Sequence, residues 1–167
     1  ATISPNGATT FCEPNNVVLS SSAGTAWLWS NGATSQSITI STPAASGAYT
    51  VRVTNANGCS SVSSATNVTV NTRPVITLSA SPYTKLFPGL STTLTANVSP
   101  AGNYTYNWYR NTSLVTGANS TTLPVTLSNL GSYYVSVLTA AGCSNNSNTV
   151  EIGDSATAKL YIMPNPN

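Results

Sequence analysis

The chain has 167 residues, only 5% of them charged, with five Lys and Arg against three Asp and Glu and no His, for a net charge of +2. That balance excludes the clustered basic surface that nucleic acids require and a polybasic membrane patch. No apolar run approaches the roughly 18 residues needed to span a bilayer.

Thr, Val, Ser and Asn set a composition that favours strands punctuated by Gly, Pro and Asn. Along the chain the apolar period is two rather than 3.6. Val17, Leu19 and Ser21 form one face of an early strand. Trp27 and Trp29 share a face of the next, with Leu28 opposite. Ile38 and Ile40 flank Thr39 in a third. Tyr49, Val51 and Val53 then alternate with Thr50, Arg52 and Thr54, and this strand closes on Asn55-Ala56-Asn57-Gly58, a turn in which Gly supplies positive φ.

The pattern then repeats. Gly47-Ala-Tyr49-Thr-Val51-Arg-Val53 leading to Gly58-Cys59-Ser60 returns without a gap as Gly131-Ser-Tyr133-Tyr-Val135-Ser-Val137 leading to Gly142-Cys143-Ser144. Phe11–Leu19 resembles Phe87–Leu94, one residue shorter, and Trp108 takes the place of Trp29. A duplicated unit predicts two domains, 1–72 and 73–152, meeting near Asn71-Thr72-Arg73-Pro74, with a linker and tail over 153–167. Short strands with turn residues every roughly 8–12 positions predict antiparallel sandwiches.

The order resembles the immunoglobulin fold, so the expected class is all-β, two tandem immunoglobulin-like antiparallel β-sandwiches. Val17-x-Leu19 is similar to strand B, Trp29 to the core Trp of strand C, Ser37–Ile40 to strand E and Gly-x-Tyr-x-Val to the start of strand F. Tyr49 and Tyr133 then stand as tyrosine corners. The usual B–F disulfide is missing. Its places are taken by Ser21 and Val51, and by Ala96 and Val135.

Chemistry-bearing residues are scarce. The acids are Glu13, Glu151 and Asp154. Glycoside hydrolysis usually needs two carboxylates facing each other in a cleft. Here Glu151 and Asp154 are expected where a domain ends and a linker begins, and Glu13 stands alone beside Pro14. A nucleophilic triad lacks its His. Three scattered Cys give no zinc spacing, and no acid cluster suits calcium. The expectation is no enzyme, no metal and no cofactor.

Two further resemblances extend the reading. FCEPNNVVL, LWSNGATSQSITI and GAYTVRVTNANGCS resemble the immunoglobulin-like repeats of secreted Bacteroidetes surface proteins. The tail Lys159-Leu-Tyr-Ile-Met-Pro164-Asn165-Pro166-Asn167 resembles the opening of the C-terminal sorting domain of the type 9 secretion system. They imply a fragment of a secreted or outer-surface protein. Its partners would be neighbouring domains of the same protein and the secretion machinery, and any export signal would lie outside the chain. They also imply O-glycosylation at Asp154-Ser155-Ala156, on Ser155.

Export would place three Cys in an oxidising compartment. Pairing Cys12 with Cys59 leaves Cys143 orphaned. On the immunoglobulin mapping, Cys12 and Cys59 stand at opposite ends of a sandwich. Strand B, about eight residues at ~3.3 Å each, would separate them by roughly 25 Å, whereas a disulfide needs Cα atoms within about 7 Å. The mapping favours Cys12 with Cys143, an interdomain bond, and Cys59 with an upstream domain. Such a bond would stiffen a spacer, since small domains on a short joint flex by default.

Two functions fit. One is a non-catalytic spacer or stalk, with adhesion as an added role. The other is a carbohydrate-binding module of a secreted polysaccharide-degrading enzyme, with surface glycans as partners, which needs exposed rings. Trp27, Tyr104 and Tyr106 are expected to pack inward with Trp29 and Trp108, leaving Tyr109 and Tyr134 as candidate ligand contacts.

Overall fold

The structure is a computed structural model that describes residues 1–155, so the Lys159–Asn167 motif lies outside the described residues. The chain divides into two compact units, one ending at Arg73 and the other beginning at Pro74.

The first unit is built from β1 (Ile3–Pro5), β2 (Thr10–Cys12), β3 (Val17–Ser21), β4 (Ala26–Trp29), β5 (Ser37–Ile40), β6 (Gly47–Tyr49), β7 (Val51–Thr54), β8 (Ser60–Val62) and β9 (Thr66–Asn71). One layer runs β1-β3-β5. The other consists of β2-β9-β6 and β4-β7-β8, where β6 and β7 are one path interrupted at Thr50. The second unit repeats the order with β10 (Val75–Ser81), β11 (Lys85–Leu86), β12 (Ser91–Ser99), β13 (Tyr104–Arg110), β14 (Ser113–Leu114), β15 (Thr122–Thr126), β16 (Gly131–Thr139), β17 (Ser144–Asn146) and β18 (Val150–Asp154). Its layers are β10-β12-β15 and β11-β18-β16-β13-β14, with β17 also on β16.

Alternation explains both cores. In β3, Val17, Leu19 and Ser21 are buried while Val18 and Ser20 are not. In β16, Tyr133, Val135 and Val137 point inward. Each unit gathers such positions around one Trp, Trp29 in the first and Trp108 in the second. Each indole N–H is satisfied by a loop carbonyl, Trp29 Nε1 donating to Ser35 O at 2.8 Å and Trp108 Nε1 to Ser120 O at 2.9 Å. Ser21, Val51, Ala96 and Val135, which stand in the places of the missing disulfides, are all buried.

Tyrosine corners follow the 3-10 turns Pro43–Ala45 and Leu127–Asn129. Tyr49 Oη donates to Ala45 O, and Tyr133 Oη to Asn129 O. Turn geometry repeats as well, with Gly58 and Gly142 at φ +80° and +82°.

Both units also contain a parallel pair that the sequence did not reveal. β2 runs parallel to β9 and β11 parallel to β18. In these ladders Thr69 N donates to Thr9 O and Gly153 N to Thr84 O, which makes Phe11 the counterpart of Leu86 rather than of Phe87. Leu86 is fully buried and Phe87 is 40% exposed, a correction to the sequence alignment. Burial of the inward residue, not aromatic identity, fixes the register. Glu151 lies within β18, which runs on through Asp154, and Ser155 N still donates to Leu86 O at 3.0 Å.

Candidate functional site

Strand interruptions determine where side chains with chemistry can sit. Between β8 and β9 the ladder breaks at Ser63, and between β17 and β18 it breaks at Ser147. At each break the serine stands in for the strand. Ser63 N donates to Val51 O and Ser63 Oγ accepts from Val51 N at 3.1 Å. Ser147 N donates to Val135 O and Ser147 Oγ accepts from Val135 N at 3.0 Å. The shared spacing Gly-Cys-Ser-x-x-Ser carries this device, so the repeat extends to its last Ser, a signal visible in the sequence.

The acids do not converge. Glu13 Oε1 accepts from Arg73 N at 3.2 Å. Glu151 lies opposite Ser132 and Asp154 opposite Leu86. Among the described residues no three His, Cys, Asp or Glu side chains are grouped as metal ligands.

Cys12 and Cys143 are each held in disulfide linkage, and Cys59 is free and exposed. The turns that carry Cys59 and Cys143 are built alike. Asn55 Oδ1 accepts from Cys59 N at 3.0 Å, and Thr139 Oγ1 accepts from Cys143 N at 2.9 Å. Cys143 is buried. Ser155 is half-buried and follows exposed Asp154.

Of the aromatic residues, Trp27, Tyr104 and Tyr106 pack against the cores. Tyr109 and Tyr134 lie directly opposite each other on β13 and β16, outside the core. Their rings stack with centroids 4.7 Å apart and planes 5° apart. Each ring covers one face of the other, so they form a stack rather than a flat platform for a sugar.

The second unit also has a cavity of about 440 Å³, lined by Arg110, Asn111, Ser113, Leu114, Thr116, Leu123 and neighbours. It opens where the chain between core Trp and strand E is longer, 109–121 against 30–36 in the first unit. That extra chain forms the hairpin of β13 and β14, turning through Asn111 and Thr112 at φ +48° and +70°. Asn111 Oδ1 accepts from Ser132 N at 2.9 Å, and Gly131 leaves room for this. A Cβ at Gly131 would lie 2.7 Å from Asn111 Oδ1. Arg110 lies opposite Tyr133. Burial pushes the Tyr133 phenol up, against a downward pull from its hydrogen bond with Arg110 and from the guanidinium charge. Sequence reading missed this cavity.

No family model matches the chain, and no curated protein matches it. Solved structures do. The N-terminal eight immunoglobulin domains of Down Syndrome Cell Adhesion Molecule match with a TM-score of 0.63 at 16% identity, over 90% of this chain and 27% of that one. Murine CEACAM1b matches at 0.46 and 17% identity, over 90% and 98%. The bacteriophage RB49 outer capsid protein Hoc matches at 0.42 and 15% identity, over 87% and 57%. The first of these shows the fold, an all-β immunoglobulin-like sandwich. No helix among the described residues is long and apolar enough to cross a membrane.

Proposed function

We propose that this chain is a non-catalytic spacer of an exported protein, two immunoglobulin-like units that hold a working domain away from a surface. The observation that carries this reading is a repeated sandwich whose Cys12 and Cys143 are in disulfide linkage while Cys59 is free. Disulfides persist in oxidising compartments, which supports a secreted or surface location. Cys12 belongs to one unit and Cys143 to the other, so the proposed Cys12–Cys143 bond joins the two repeats. Cys59, equivalent in its turn to Cys143, is left for an upstream domain. Peptide mapping without reductant should return a Cys12–Cys143 crosslinked peptide. A Cys12–Cys59 peptide would sink the pairing.

Export by the type 9 system rests on the resemblance of Lys159–Asn167. Glycosylation at Ser155 rests on the Asp154-Ser155-Ala156 motif, and intact-mass measurement of secreted protein tests it. Deleting residues 1–155 from the parent should leave its activity in solution unchanged and reduce it only on the cell surface. Loss of activity in solution would place the working site inside this chain. The carbohydrate-module reading through Tyr109 and Tyr134 is weakened by their mutual stacking.

A further inference from the structure

We propose that the cavity beside β14 in the second unit binds a uronate sugar, with Arg110 as the carboxylate contact. This goes beyond the spacer reading and does not depend on it.

The first argument is charge. Arg110 is half-buried and hydrogen-bonded to the Tyr133 phenol, and among the described residues it has no carboxylate partner. Its planar fork matches a carboxylate with two parallel hydrogen bonds. One guanidinium in the cavity wall suits one carboxylate of the ligand. The second argument is lining. Ser113 and Thr116 bring hydroxyls and Asn111 an amide, while Leu114 and Leu123 form an apolar wall. A pyranose has the complementary shape, with a C–H face and a hydroxyl rim. The volume of about 440 Å³ falls within the range of roughly 300–1,000 Å³ usual for small-ligand sites.

The topology argues against an acidic peptide. A peptide adding to the sheet would need an exposed edge of useful length. Here the edge strand β14 is only Ser113–Leu114. The first unit supplies an internal control. At the position two residues beyond its core Trp it has Asn31 in place of Arg110, and Ala33 packs on its core where the second unit opens.

The test is a titration of the full chain, followed by amide NMR, with digalacturonate, with neutral lactose and with acetate. Digalacturonate should give saturable shifts at residues 110–116 and none at residues 1–73. Lactose and acetate should each bind at least about tenfold more weakly, because each lacks one half of the recognition. Arg110→Gln should weaken digalacturonate by about tenfold or more, as expected for losing a charge-assisted pair. Thr116→Ala should weaken it without touching the core, and Arg52→Gln should leave it unchanged. Equal binding of lactose overturns the role of Arg110, and equal binding of acetate overturns the sugar. Absence of shifts at 110–116 overturns the site. If Arg110→Gln fails to fold, the shift map of the unmodified chain and the Thr116→Ala variant still decide the question.

Discussion

Among the described residues, Thr92 carries the plainest cost. It is 2% exposed on β12, and its Oγ1 has no hydrogen-bond partner. Val17 holds the corresponding inward place on β3 and is fully buried. An unsatisfied buried hydroxyl costs about 1–3 kcal/mol, so Thr92→Val should stabilise the second unit by about 1 kcal/mol in urea melts. An unchanged midpoint would mean that the hydroxyl finds a partner. Raised phenols should make stability fall in alkali. Burial raises Tyr49, Tyr106 and Tyr133 above the ordinary 10.0, with the charge of Tyr104 adding to the rise at Tyr106 and Arg110 opposing it at Tyr133. As pH rises, the unfolded chain gives up these protons first. Stability is therefore intact below about pH 10 and falls as pH climbs through the folded values. Denaturation midpoints across that range should show the decline, and Tyr49→Phe should remove part of it.

At the scale of elements, a serine replaces a piece of strand twice. Ser63 and Ser147 each accept from a strand amide with Oγ while their own N–H completes the ladder. The path can then break and resume as β9 or β18, the strands that take the parallel partners β2 and β11. Removing either hydroxyl leaves the amide of Val51 or Val135, both fully buried, without its partner. Ser63→Ala and Ser147→Ala should each cost about 1–2 kcal/mol, with faster amide exchange at Val51 or Val135 respectively. A loss spread evenly over both units would contradict this local role. Antiparallel strands B, C, E and F were legible because alternation and turns are local signals. The parallel pairs were not, because Thr10–Cys12 and Lys85–Leu86 are too short to show a period.

For the whole molecule, two separate cores mean that damage should stay where it is made. Trp108→Ala should cost about 3–5 kcal/mol and lower amide protection in the second unit, while residues 1–73 keep theirs. Coupled loss across both units would show that the cores do not stand alone. The sequence by itself determined the all-β class, the duplication, the core Trp and Tyr positions and the scarcity of catalytic groups. Each of these is written in local alternation or in composition. Tertiary structure decided that Phe11 answers to Leu86, that Tyr109 and Tyr134 stack on each other, and that Arg110 enters a cavity. These depend on which residues meet across strands and on how a longer loop leaves one flank of a sandwich open, and no local pattern encodes either.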